Sequence, residues 1–600
     1  MNRFHNYDSL INAVERYRWY LLNEETKELF LTKGPKIEKG LVKIEYRNDL
    51  SFYTYDAEDS EIVSIYFKNR KKRYYPIGEV LTINHDKKFL IFKPYNQRII
   101  SNLTKIAIRP KDYLNEFLFF IKNHTDFDKF NKFIKLYKKQ TPVKSTVPER
   151  FGKNISSQTK TLIRYRKNPI TLIWGPPGTG KSHNIGYIVS ALLLDGFDKK
   201  IVALSNTNVA VDILTKKIYN AMKNAKIDIN EHKILRFGFP ILEELRREQP
   251  LLAYKKAHDR YMRKFRKLQR QLFLFTVTEG KDVDIEKAKI ENEIKMLKEE
   301  YTHQLKKFVD ESKIITLTFN AFLNRVGKYI DPKDIGCIIV DEASIVPIAY
   351  YYIVSQIELN HLIIAGDPEQ LKPIFKGKRK TCEEYWFSHN IFDLFNVKAV
   401  NGETVHFLRE QRRMPPDVCK SISRVFYSGN LITAKDKKPT KELWPEKTDI
   451  IRVDYSDVQI PPELVFWDVR NKRSCYASLL LLKYIKKLYK NPDLSYLIVT
   501  PYKNQRKNLN MLVVSNFIKG SLKIDVLTIH RCQGTGSDIV IFDPAQVWNK
   551  FLYLNPFLIN VAASRAKKKL FVLASDDDLN RNRVLNELLK DAMVIRFPLE

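Results

Sequence analysis

The sequence predicts an α/β protein of several domains, with the chemistry gathered where strands end. Three segments carry that prediction. "TLIW" from Thr171 leads into the glycine-rich "GPPGTGKS" and then the apolar "SHNIGYIVSALLL"; Ile338-Ile339-Val340 ends on Asp341-Glu342; "HLIIAG" ends on Asp367. Short apolar runs bounded by turn residues read as buried strands, and the longer apolar run after the first reads as a helix. At 600 residues the chain exceeds one core and divides into units of about 100–200 residues.

Bulk properties narrow the partners. Lys and Arg number 103 against 69 Asp and Glu, a formal charge of +34 spread along the chain, which attracts polyanions, nucleic acid before anionic membrane. Cys337, Cys382, Cys419, Cys475 and Cys532 lie far apart without CxxC or Cys/His spacing, so neither a disulfide framework nor a zinc module is expected. No run approaches the ~18 apolar residues of a membrane span, and "MNRFHNYDSL" lacks a signal-peptide core. A soluble, intracellular protein is expected.

In chain order, residues 1–22 read as a helix. "LVKIEY", "EIVSIYF", "EVLTI" and "FLIFK" alternate as short strands, with "NHDK" turning between the last two, and suggest a small β-barrel. "PKDYLNEFLFFIKN" and "DKFNKFIKLYKK" are helical stretches leading away from it. The basic run Lys68-Asn69-Arg70-Lys71-Lys72-Arg73 reads equally as a nucleic-acid contact, a nuclear signal or a solvated loop.

Gly175-Pro176-Pro177-Gly178-Thr179-Gly180-Lys181-Ser182 fits GxxxxGK[ST] in a strand–loop–helix setting. Glycines let successive N–H groups turn onto phosphate oxygens, and the helix N-terminus adds positive potential. Lys181 would reach the β- and γ-phosphates of ATP, and the Ser182 hydroxyl would hold magnesium. Asp341 at its strand end suits the magnesium shell; Glu342 beside it suits a general base on the attacking water. Gln370, three residues past Asp367, can hydrogen-bond a γ-phosphate or that water.

Between the second strand and Asp341 lies an insertion, roughly 247–311. Tyr254, Ala257, Tyr261, Phe265, Leu268 and Leu272 recur at helical spacing, as do Ile290, Ile294, Leu297, Tyr301, Leu305 and Phe308. Across "TEGKDVD" they would pair as an antiparallel hairpin, each arm reaching on the order of 35 Å. The first arm is dense in Lys and Arg, so it either covers a nucleic-acid channel or presents a solvated face.

Together the three phosphate-site segments resemble motifs I, II and III of superfamily 1B helicases, in particular the group of the nonsense-mediated-decay helicase and its immunoglobulin-μ-binding relative. The resemblance continues in order: "IVALSNTNVAVDIL" (201–214) is similar to motif Ia and "IITLTFNAF" (314–322) to the next threonine-bearing strand. "LREQRRMPP" (408–416) resembles QYRMHP, "VFYSGNL" FYxGxL, "YLIVTPYKNQ" (496–505) ITPYxxQ, "VLTIHRCQGTGSD" (526–538) TxxxxQGxExD, and "NVAASRAKKKL" (560–570) NVAxTRA.

The resemblance implies two tandem RecA-like P-loop domains with ATP between them, an N-terminal barrel on a helical stalk, and an inserted hairpin. The corresponding boundaries are 1–109 for helix and barrel, 110–145 for the stalk, 146–396 for the first RecA-like domain with its insertion at 247–311, and 397–600 for the second. Gln158 matches the adenine-reading glutamine. Arg413 and Arg565 match arginines that cross the cleft to the γ-phosphate, where guanidinium forks suit spread phosphoryl charge. Gly534 lies in the QG turn. Ser205, Asn206, Thr316, Thr318, Thr500, Tyr502, Thr528 and His530 match backbone-contacting positions on single-stranded DNA or RNA; Tyr502 also suits base stacking.

Two positions depart from the pattern. Arg412 stands where the family stacks tyrosine on adenine, and Gly536 replaces the QGxE glutamate, so looser base selectivity is expected. The implied function is an ATP-dependent helicase or translocase moving 5' to 3', with a monomeric motor, protein partners for targeting and no membrane partner; the alternative is an ATP-switched clamp or remodelling ATPase that does not unwind.

Overall fold

The computed structural model describes residues 4–597 except 24–25, 33–34, 39–40, 48–59, 69–70, 85–88, 95–105, 111, 113, 152–154, 238–244, 246–259, 262, 266, 269–280, 398–404, 438–442, 446–447, 467–468, 490–492, 518–522, 533 and 546–554. Two parallel sheets dominate it. The first orders its strands Ile234–Arg236, Ile314–Thr318, Lys200–Ser205, Ile335–Val340, His361–Gly366, Ile170–Trp174 and Val405–Phe407. Strands such as Ile170–Trp174 and Ile335–Val340 are buried at every residue, as expected where helices cover both faces of a parallel sheet. The second orders Lys523–Thr528, Ser495–Thr500, Ser537–Phe542, Ala566–Leu573, Ile450–Asp454 and Met593–Arg596.

Both sheets pair in parallel throughout. The three phosphate-site segments leave the C-terminal ends of adjacent strands of the first sheet, the end at which open α/β sheets bind ligands. Val405–Phe407 pairs with the phosphate-loop strand, past the boundary expected at 396. That placement runs the following segment along the loop: Leu408 N–H donates to Trp174 O at 2.9 Å, and Arg412 N–H to Gly178 O at 3.0 Å.

N-terminal to these, strands Lys27–Leu29, Ile106–Pro110, Ser60–Lys68, Lys71–Asn84, Phe89–Pro94, Leu41–Glu45 and Lys36–Glu38 form an antiparallel sheet in that order. Val42, Ile44, Leu90 and Phe92 are buried while Lys43 and Ile91 are less so, the period-two pattern of a half-buried strand. The first strand's end also bridges Leu31 to Tyr46 beyond Leu41–Glu45. Within the basic run, Lys68 and Lys71 stand opposite each other in the pairing of the two longest strands.

Helices Tyr7–Asn23, Leu114–Asn123 and Phe127–Lys139 bury Leu10, Val14, Phe117, Ile121 and Phe130 in the same cluster as Val340, Trp386 and Phe395 of the first sheet's layer. Arg18 forks onto Asp112 at 2.6–3.0 Å, and the Tyr137 and Phe395 rings stack at 3.9 Å. Of the insertion, helix Lys281–Glu311 buries Ile290, Leu297, Leu305 and Val309; it begins inside the stretch expected as a break. Tyr261 stacks on Tyr301 at 4.0 Å between centroids. Tyr254, Ala257 and Leu272 lie outside the described residues. None of the described helices is long and apolar enough to cross a membrane.

Candidate active site

The phosphate loop is shaped by left-handed backbone at Gly178 (φ +78°) and Gly180 (φ +82°), which L side chains adopt only at a cost. Gly180 precedes helix Lys181–Leu194, so the loop opens onto that helix's unpaired N–H groups. Lys181 Nζ donates to Gly175 O at 2.9 Å, folded over its own loop. Thr179 Oγ1 closes the turn onto Pro176 O at 2.7 Å, and Pro177 completes the loop.

Ser182 Oγ donates to Asp341 Oδ2 at 2.5 Å, so a hydroxyl and a carboxylate already converge. Burial, followed by the neighbouring Glu342 charge, pushes the Asp341 carboxyl up to about 6 against the pull of Lys181; such a group is stabilised as an anion by a cation. Glu342 sits at φ +54°, and its buried Oε2 has no hydrogen-bond partner among the described residues. Hard oxygen donors of this kind fit magnesium. A magnesium ion held there would supply charge neutralisation for phosphate oxygens.

Arg413 packs on the phosphate loop, and Arg565 lies beside it at Gly536. A Cβ built on Gly178 would stand 2.7 Å from Arg413 Cβ, so the arginine lies directly on the loop. Burial, then the Arg565 charge, lowers Arg413 to about 9, opposed by Glu342; it stays cationic at neutral pH. Arg565 is buried, its Nε donating to Val561 O at 2.8 Å and its Nη2 to Ser564 Oγ at 2.9 Å. Burial lowers its pKa, with Glu342 among the opposing charges. Two desolvated guanidiniums near one another, each with its pKa lowered by burial, are the arrangement an anion relieves.

Gln370 Nε2 donates to Asp367 Oδ2 at 2.7 Å. Gln158 Nε2 donates to Thr179 O at 3.1 Å, and its Oε1 accepts from Glu410 N–H at 3.3 Å. Beside it opens a cavity of about 430 Å³ lined by Ser157, Thr161, Leu162, residues 405–410 and Ile432. Arg412 is half exposed and pairs with Glu410 at 3.9 Å and Asp436 at 3.8 Å, held by carboxylates at the cavity's edge. A Cβ on Gly536 would meet Arg565 O at 3.1 Å and Arg413 Cδ at 3.8 Å, so the departure at 536 lies against both arginines. Gly534 approaches Ile213 of the first domain instead, 3.9 Å from its built Cβ.

The remaining expected residues lie on strand ends of both sheets. Ser205 pairs in register with Thr318, and Thr500 with Thr528. Ser205 and Thr500 are buried with unpartnered hydroxyls among the described residues. Thr318 caps helix Phe319–Leu323. Thr316 turns inward, its hydroxyl 2.7 Å from Thr215 Oγ1. Asn206 and Tyr502 are half-buried and His530 is exposed. Arg470, which no motif singled out, places its guanidinium 5.5 Å from the Tyr502 ring centroid. Tyr427 and Asn560 were visible only as letters within motifs, yet Tyr427 donates to Asp367 and accepts from Asn560.

Comparison with known proteins agrees with this architecture. An AAA domain matches residues 153–378 and a second AAA domain matches 389–577. The chain is 24% identical over 497 residues to DNA polymerase alpha-associated DNA helicase A of Saccharomyces cerevisiae, covering 74% of this chain and 69% of the relative. It is 23% identical over 464 residues to the 5'-3' DNA helicase ZGRF1 of Mus musculus, 70% of this chain and 22% of the relative. It is 26% identical over 461 residues to the Regulator of nonsense transcripts 1 homolog of Drosophila melanogaster, 73% and 36% respectively. With two AAA domains in tandem and helicase relatives aligned along some three-quarters of its length, the chain belongs to the superfamily 1 helicases.

Proposed function

We propose that this ATP-dependent helicase closes the cleft between its two sheets on ATP and converts hydrolysis into 5'-to-3' steps along a single strand of DNA or RNA. The observation that carries the reading is Arg413 packed on Gly178 of the phosphate loop with Arg565 beside it at Gly536. Lys181 and the loop N–H groups would bind the phosphates, Ser182 and Asp341 would hold magnesium, and the base would lie in the cavity beside Gln158. Glu342, buried and unsatisfied, takes a proton from the attacking water; Gln370 orients that water. The two arginines stabilise the equatorial oxygens of the transferring phosphoryl group. Because they arrive with the second domain, catalysis requires closure, and loss of the γ-phosphate removes the anion that held them.

Strand contacts follow from the paired strand ends. Ser205, Asn206 and Thr318 on one sheet and Thr500, Tyr502, Thr528 and His530 on the other grip the backbone alternately, with Arg470 beside Tyr502 adding charge. The polarity is supported by the mouse relative's name. The antiparallel sheet, bridged from Leu31 to Tyr46, acts as an accessory barrel on the stalk helices, and Tyr261 on Tyr301 supports an insertion folded as a hairpin. Selectivity for adenine is loosened at Arg412 and Gly536. The test is Lys181→Ala: it should abolish ATPase stimulated by single strands, and undiminished stimulated turnover would overturn the assignment.

A further inference from the structure

A buried chain of hydrogen bonds joins Gln370 to the helix that leads to Arg565. The Asp367 carboxylate accepts four donors. Trp174 Nε1 and Glu369 N–H reach Oδ1 at 3.1 Å each, while Gln370 Nε2 at 2.7 Å and Tyr427 Oη at 2.6 Å share Oδ2. Tyr427 follows helix Pro416–Phe426, beyond the crossover from the first sheet. Its Oη accepts from Asn560 Nδ2 at 2.8 Å, and the same Nδ2 reaches Glu369 O at 2.8 Å. Asn560 belongs to helix Phe557–Ala563, whose next turn carries Arg565 bonded back to Val561 O. The two groups read as acting on the γ-phosphate, one from each domain, therefore stand at opposite ends of a single relay.

We propose that Tyr427 and Asn560 are positioning residues that set Gln370 in register with Arg565, so that the pair meets the γ-phosphate only when the relay is closed. The inference rests on the roles given above to Gln370 and Arg565. Each link has one geometry. Tyr427 has a single proton, given to Asp367, and a lone pair occupied by Asn560; burial and the Asp367 charge push the phenol upward, so it remains a donor around neutral pH. Opening the cleft pulls Asn560 and Tyr427 away and leaves Gln370 as the only side chain on Oδ2. A buried carboxylate that loses a donor relaxes its remaining partners, and an orienting amide that drifts by about 1 Å costs rate rather than binding.

Tyr427→Phe removes the hydroxyl and keeps the ring. Steady-state ATPase is measured with a saturating single-stranded oligonucleotide for the intact chain, Tyr427→Phe, Gln370→Ala and the double variant, at a temperature where thermal melts show all four folded. The expected result is a fall in kcat of about tenfold for Tyr427→Phe with KM for ATP within about twofold, and a further fall of less than about twofold when Tyr427→Phe is added to Gln370→Ala. Asn560→Ala should match Tyr427→Phe. An unchanged kcat in Tyr427→Phe, or the same tenfold loss on the Gln370→Ala background, overturns the relay while leaving the wider reading standing. An unchanged kcat in Gln370→Ala removes the role of Gln370 itself, and the relay with it.

Discussion

Replacing Gly178 by alanine probes the contact between the loop and Arg413 with a single methyl group. At φ +78° an L side chain costs about 1–2 kcal/mol. The added Cβ would stand 2.7 Å from Arg413 Cβ, 3.1 Å from Arg413 N and 3.1 Å from Gln411 Oε1, against an ordinary carbon–carbon contact of about 3.5–4.0 Å. Arg413 cannot move alone to make room. Its N–H is held by Gln411 Oε1 at 2.8 Å, and Gln411 Nε2 is held by Met414 O at 2.9 Å and Thr433 Oγ1 at 3.1 Å. The whole segment must retreat by roughly 1 Å, a displacement that can cost on the order of 10²-fold in rate. Gly196 is the control: its φ is +75° and nothing lies within 4 Å of a built Cβ. Gly196→Ala should lose only the φ penalty in urea unfolding and Gly178→Ala somewhat more, while stimulated ATPase falls about 10- to 100-fold in Gly178→Ala alone. Equal turnover in the two variants would refute the contact.

Other perturbations separate binding, chemistry and folding. Glu342→Gln should keep nucleotide binding and lose about 10²–10⁴-fold in kcat; a loss under tenfold, read beside fluorescent-nucleotide affinity, would remove Glu342 as the base. The Arg236–Asp212 pair is buried at 2.8 Å, so Asp212→Ala should cost about 3–5 kcal/mol of unfolding free energy, and a cost under about 1 kcal/mol would contradict that. Burial and then the Asp367 charge push Glu369 up to about 7, above the ~4.3 of an unfolded glutamate. The folded chain thus holds a proton the unfolded chain has shed, and stability from this group is lost as pH rises through about 7. Glu369→Gln should therefore raise unfolding free energy increasingly from pH 5 to pH 8, by on the order of 1 kcal/mol given its partial exposure; a gain independent of pH would reject the shift.

What the sequence disclosed was what local pattern can encode. Strands Ile170–Trp174, Ile335–Val340 and His361–Gly366 are mostly apolar runs that lead into the phosphate loop, Asp341 and Asp367, and each was readable near where it stands. Short strands were not: Lys27–Leu29, Lys36–Glu38 and Val405–Phe407 span three residues each, too few for a period to emerge. Lys71, Lys72 and Arg73 of the basic run read as charge, yet they belong to strand Lys71–Asn84, because pairing with Ser60–Lys68 decides their state rather than propensity. Thr316 shows a limit of residue type: its hydroxyl faces Thr215 because strand alternation sets its side. The relay was invisible for another reason. Asp367 and Tyr427 are 60 positions apart and Tyr427 and Asn560 133, so only the assembled cleft brings them together.

Strand displacement on matched duplexes with a 5' or a 3' single-stranded tail, run with ATP on the intact chain and on Lys181→Ala, tests the central claim most directly. The account predicts displacement of the 5'-tailed duplex alone, absent in Lys181→Ala. Single-strand-stimulated ATPase with no displacement of either duplex, or displacement that survives Lys181→Ala, would contradict it.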